Sequence, residues 1–165
     1  MALGLTLGLA SAETISVTPH AQFASSVGVL GCLIDINRVA YFPSPPSCQS
    51  PCIRLKDNAH GREVTLLHID SSEGAHDISY DAWNYLMTGS SARDDPNEGG
   101  NLEVDSEQLS LEDEACKALL SGTGGKIPVM ACSPQWGLEC PDAVEFRNIG
   151  LSTCTTGTDE VYEVN

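Results

Sequence analysis

Seven cysteines in a chain of 165 residues constrain the fold more than any other feature: Cys32, Cys48, Cys52, Cys116, Cys132, Cys140 and Cys154. Secreted domains use cysteines as staples across loops, whereas short cytosolic chains rarely carry so many. An odd count predicts three bridges and one thiol left over. The spacing leaves the pairing and the odd residue open, so all seven are disulfide candidates. A Cys48–Cys52 bridge would close a very small loop, and a separate, distant partner is expected for each.

The other bounds come from charge and length. The chain has 23 Asp+Glu against 8 Lys+Arg, a net charge of −15, with 41% hydrophobic residues. That apolar share is too high for a disordered acidic tail, and the length suits one core. With no basic footprint, nucleic acid is excluded as a partner, and an anionic membrane surface would repel the chain. No stretch approaches the ~20 apolar residues of a membrane span. Met1–Ala12 is uncharged and ends Ala10-Ser11-Ala12, a small-x-small pattern that predicts a signal peptide and a mature start at Glu13. Secretion and an extracellular location follow, with a monomer expected.

Along the chain, Glu13–Val27 has weak periodicity, and residues 13–28 are expected to be an N-terminal arm. One domain is expected over 29–165. Val29–Phe42 reads as strand, 43–52 as a stiff Pro-rich loop, Cys52–Lys56 as a short strand and Asp57–Gly61 as its turn. Glu63–Asp70 (EVTLLHID) is the strongest strand signal, apolar on both faces like a barrel wall packed on both sides. Ser79–Met87 is predicted as a helix, with Ser79 as cap, Asp81 in the first turn and Gly89 as stop. Ser110–Leu120 is predicted as a second helix, opened by Ser110 and Asp113 and stopped by Gly122. Residues 91–125 are expected to form an acidic, helix-bearing insert, and short strands are predicted at Ile127–Met130, Ala143–Ile149 and Val161–Val164. The pattern is mainly β, a barrel or sandwich with two short helices.

One stretch carries a resemblance. In Glu63–Leu86 a buried strand ends at Asp70, a Gly-bearing loop follows, and Asp77-Ile78-Ser79 opens a helix running through Tyr80-Asp81-Ala82-Trp83-Asn84-Tyr85-Leu86. This resembles the double-psi β-barrel superfamily of barwin, expansins, cerato-platanins, rare lipoprotein A and family 45 glycoside hydrolases. Arg38–Phe42 is similar to its opening strand, and Cys48…Cys52 to its cysteine loop. Gly31–Phe42 with Gly74–Gly89 looks like a group of small secreted fungal proteins that includes elicitors. The resemblance implies a disulfide-stabilised, six-stranded double-psi barrel. Ser71-Ser72 stands where the superfamily often has a Cys after the strand-end Asp.

Two functions compete. Glycosidic cleavage needs a protonated carboxyl as general acid and usually a second carboxylate. The resemblance makes Asp77 the acid and Asp70 its partner, in an enzyme akin to an expansin, lytic transglycosylase or family 45 hydrolase. Both aspartates can equally bond turn amides. The favoured reading is therefore a non-catalytic effector or elicitor that binds cell-wall polysaccharide or a host protein. Sugar rings stack on aromatic faces while carboxylates and amides bond their hydroxyls, which makes Tyr41, Tyr80, Trp136, Asp35, Asn37, Asp77 and His76 the candidate ligand residues. The alternative for the aromatic residues is that Trp83, Tyr85 and Phe146 fill the core and Tyr41 is barrel wall, and for Trp83 core is the favoured reading. Cys48-x-x-x-Cys52 with His60, His68 or His76 offers zinc ligand types, but an oxidising compartment favours bridges. No metal or cofactor is expected, and the acidic residues of 94–114 are read as a solvated face.

Overall fold

The alternation within Arg62–Ser71 shows how the chain is layered. Val64 and Leu66 turn to one apolar cluster, Leu67 and Ile69 to another, and all four are buried. A strand apolar on both faces must be covered on both faces. The computed structural model describes residues 12–133 and 139–162.

Six strands close into a barrel: β1 (Glu13–His20), β2 (Val39–Phe42), β3 (Cys52–Asp57), β4 (Arg62–Ser71), β5 (His76–Ser79) and β6 (Leu102–Leu109). Their order is β1-β5-β2-β4-β3-β6, with β6 returning to β1. β1 runs parallel to β5 and β2 parallel to β4, and the remaining neighbours are antiparallel. This is the six-stranded double-psi barrel that the sequence resemblance implied. Val17, Ala40, Ile53, Leu55, Leu66, Ile78 and Val104 fill its interior, and helix α1 (Tyr80–Thr88) adds Ala82, Trp83 and Leu86 to the same cluster. Arg62 donates to the Leu86 and Met87 carbonyls (2.8 and 2.7 Å), satisfying the open end of α1. Gly89, at φ +83°, ends that helix by donating to the Tyr85 carbonyl.

The second cluster lies between the barrel wall and the C-terminal part. Helix α2 (Glu114–Leu119) and a three-stranded sheet of β7 (Ile127–Met130), β8 (Val144–Ile149) and β9 (Gly157–Tyr162) supply Cys116, Ile127, Val129, Val144 and Phe146. The bridges are Cys32–Cys154, Cys48–Cys140 and Cys52–Cys116, which leaves Cys132 as the exposed free thiol. Cys48 and Cys52 do have separate distant partners.

Several expectations need correcting. Residues 13–20 are a barrel strand, not an arm: Ile15 and Val17 point inward, and β1 is paired on both sides. The stretch 91–125 is not simply an insert, because β6 within it is a barrel wall that places Leu102, Val104 and Leu109 in the clusters. Val29–Phe42 is not one strand. The Asp35 carboxylate accepts from Asn37 N (2.9 Å) and its carbonyl from Arg38 N (2.9 Å), a turn that delays β2 until Val39. Ser79 precedes α1 without capping it, its hydroxyl donating instead to the Asn37 carbonyl (2.6 Å). The second helix begins at Glu114 because Asp113, not Ser110, is the cap, accepting from Ala115 N (2.9 Å). Trp83, at 1% exposure, is core as expected; Phe146 is also buried, whereas Tyr85 is half-buried against the barrel cluster. Apart from Ala12, the expected leader lies outside the described residues, as do Trp136 and 163–165.

The Cys52–Cys116 bridge closes a separation of 64 residues. Replacing both cysteines by Ala should lower stability by about 4 kcal/mol in urea unfolding, whereas Cys132→Ser should change it by less than about 0.5 kcal/mol. Thiol titration of the oxidised protein should find Cys132 alone.

Candidate functional site

The outer face of β1, β5, β2 and β4 carries one continuous polar row. Residues opposite one another on paired strands share a face, and the register aligns Thr18 with Asp77, Asp77 with Tyr41, and Tyr41 with Asp70. Asp70 and Asp77 therefore lie one on each side of Tyr41, with β2 between them. The chain leaving β1 passes back over this row. Ser26 donates to Asp70 through its amide (2.5 Å) and its hydroxyl (2.6 Å), and Ser71 N adds a third bond (2.8 Å). The Tyr41 hydroxyl accepts from Ala24 N (3.3 Å) and donates to the Gln22 carbonyl (3.4 Å). Burial, together with the Asp70 charge, pushes that hydroxyl's pKa up, so Tyr41 stays neutral.

These contacts decide what the row can do. Tyr41 is 5% exposed and its ring lies 4.4 Å from that of His20, so it offers no face for a sugar to stack on. Asp70 is buried and its oxygens are occupied by protein donors. Half-buried Asp77 accepts from the Thr18 hydroxyl. Half-buried His76 lies edge-on to Phe42 at 4.7 Å. Asp35 is exposed and shapes the turn that presents Asn37.

Two strand positions along the same face, the row opens into a groove of about 750 Å³ lined by His20, Ala21, Asn37, Ser79, Tyr80, Asp81 and the 91–94 stretch. His20 and Ser79 are register partners and form its floor. The start of α1 and the Asn37 turn form one side, and Ser91, Ala92, Arg93 and Asp94 the other. Asp81 ties the sides together: it pairs with Arg38 (2.9 Å) and accepts from Ser91 Oγ (2.7 Å) and Ala92 N (2.8 Å). Burial alone would raise its carboxyl pKa, but the bonds from Ser91, Arg38 and Ala92 outweigh burial and hold it below the usual range. His20 Nδ1 is shielded from solvent and lacks a hydrogen-bond partner among the described residues.

Of the residues expected to bind ligand, Asn37 and Tyr80 line this groove; Asp35, Tyr41, His76, Asp77 and Asp70 do not. Sequence reasoning missed His20, Asp81 and the 91–94 wall. The available signal was Asn84, an amide on the otherwise apolar side of α1. Among the described residues, no cluster of three or more His, Cys, Asp or Glu side chains could hold a metal ion.

No protein-family model matches the sequence, and no curated protein matches it. A solved structure with some likeness is the solution structure of the fungal elicitor cerato-platanin, at 14% identity and a TM-score of 0.43, over 66% of this chain and 98% of that one. The barrel assignment rests on the strand order and register above.

Buried beside this row, His68 has its pKa lowered to about 4, chiefly by burial and partly offset by the Asp70 carbonyl and carboxylate. Its Nε2 lies 2.9 Å from that carbonyl oxygen. The folded ring is neutral where the unfolded one, near 6.5, takes up a proton, so stability is fully present above about pH 6.5 and falls as pH drops towards 4. The loss at pH 4 should be about 3 kcal/mol. Comparing urea unfolding at pH 7 and pH 4 checks this: His68→Gln should show a pH dependence smaller by that amount.

Proposed function

We propose that this is a secreted, non-catalytic protein that binds a neutral cell-wall glycan in the groove at the start of α1, of the elicitor kind implied by the sequence resemblance. One observation carries the reading. The open groove holds an aromatic residue and hydroxyl-bonding groups, Tyr80, Asn37, Ser91, Arg93 and Asp94, while the two aspartates suited to acid–base work lie outside it and are bonded to protein donors. Sugar recognition needs a stacking surface flanked by amides, carboxylates and hydroxyls. Cleavage needs a carboxyl free to give its proton to a bound glycosidic oxygen. The net charge of −15 favours a neutral polymer over an acidic one. Three disulfides support an extracellular destination.

Retention on insoluble chitin, cellulose, glucan and peptidoglycan tests the reading. One of the neutral polymers should retain the protein, and Asn37→Ala combined with Asp94→Ala should weaken retention at least about tenfold, roughly 1.4 kcal/mol. Asp77→Asn should bind as the wild type does, with no soluble sugar released by either. Sugar release that disappears in Asp77→Asn would replace the binder with the enzyme, and failure on all four polymers would point to a protein ligand. For secretion, the exported chain should begin at Glu13; a retained Met1 would contradict it.

A further inference from the structure

We infer that Asn84 is the positioning residue of the groove: from inside α1 it fixes the stretch 90–97 as a ready-made wall, without itself facing the ligand. The inference rests on the reading that this groove is the binding site. Asn84 is fully buried. A buried amide must find partners for its donors and its acceptor, and Asn84 finds nearly all of them in the wall. Its Nδ2 donates to the Ser90 carbonyl (3.0 Å) and the Asp95 carbonyl (2.9 Å), with Thr88 Oγ1 at 3.3 Å, and its Oδ1 accepts from Asn97 N (2.8 Å). Two carbonyls on one end of the amide and an N–H on the other fix which end is nitrogen.

Both ends of the wall are therefore gripped by one side chain. Asp81 holds the middle through Ser91 and Ala92, and the Tyr80 hydroxyl donates to the Asn97 carbonyl (2.6 Å). Thr88 completes the latch by accepting from Ser90 N (3.0 Å). The groove-lining groups Ser91, Ala92, Arg93 and Asp94 sit between the two grips. The stretch Ser90–Asn97 (SSARDDPN) is polar apart from Ala92 and Pro96 and has little apolar surface with which to order itself, and ordering it during binding would cost affinity. With the latch closed, that cost is met when the protein folds. The helix does not need Asn84 to form, since Ala82, Trp83 and Leu86 pack it on the barrel and Arg62 and Gly89 close its end.

Asn84→Asp keeps the shape and the acceptor for Asn97 N but removes both N–H donors. Thr88→Val removes the latch hydroxyl at a half-buried position outside the groove, and serves as the second variant should Asn84→Asp fail to fold. Amide hydrogen exchange of Asp94, Asp95 and Asn97 should speed up at least about tenfold in Asn84→Asp, equivalent to ~1.4 kcal/mol of opening free energy. It should speed up less in Thr88→Val, and β3 and β4 amides should be unchanged in both. Calorimetry with the oligosaccharide of the polymer that retains the wild type should show a dissociation constant raised in the same order, with a less favourable binding entropy. Unchanged exchange in the folded variants would overturn the latch. Faster exchange with wild-type affinity would overturn the wall's part in binding. If the wild type binds no sugar, the glycan reading fails by itself, and the exchange measurement still decides whether Asn84 holds the wall.

Discussion

Closure of the barrel by its first strand is the constraint on which the remaining features rest. β1 lies between β5 and β6, parallel to one and antiparallel to the other. Without it both neighbours would present open backbone edges, and the interior that contains Val17, Ile78 and Val104 would face water. The same strand also sets the site. Its last residue, His20, is paired with Ser79 to make the groove floor, and the chain beyond it crosses Tyr41 and bonds Asp70. Fold and site thus share one pairing.

The legible parts of the sequence are those whose burial leaves a local trace. β4 was legible because Val64, Leu66, Leu67 and Ile69 are apolar on two faces. α1 was legible because Ala82, Trp83 and Leu86 recur at helical spacing before a glycine stop. β1 and β6 left a fainter trace: each has one face towards water, so Thr14, Ser16, Glu103, Asp105 and Glu107 dilute the apolar alternation of Ile15, Val17, Leu102 and Val104. Their partners are also far away in the chain, and no local pattern signals which strand closes a barrel. The site divides in the same way. Asn37 and Tyr80 were reachable from the motif that contains them. Ser91–Asp94 were not, because a loop's position depends on the side chains that hold it, here Asp81 and Asn84. Asp70 and Asp77 stood out in the motif, but what covers them depends on a segment that read as an arm.

The acidic excess is also organised by position. On the face of β3, β4 and β6, Arg54 lies within reach of Glu63, Glu107 and Asp113, at 3.3, 2.9 and 3.6 Å. One guanidinium thus moderates three carboxylates across three separate segments. At these exposures each pair adds little stability, but together they lessen repulsion where the barrel wall passes into α2.

The placement of the disulfides has a consequence for chemistry outside the protein. Every bridge joins the stretch between Cys32 and Cys52 to the stretch between Cys116 and Cys154. None includes a groove residue. Reduction would loosen the hold of α2 and the three-stranded sheet on the barrel wall, while the groove kept its own supports in the Asp81, Asn84 and Ser79 hydrogen bonds. Redox conditions that threaten the protein's durability therefore act on bridges that share no residue with the lining of the groove at the start of α1.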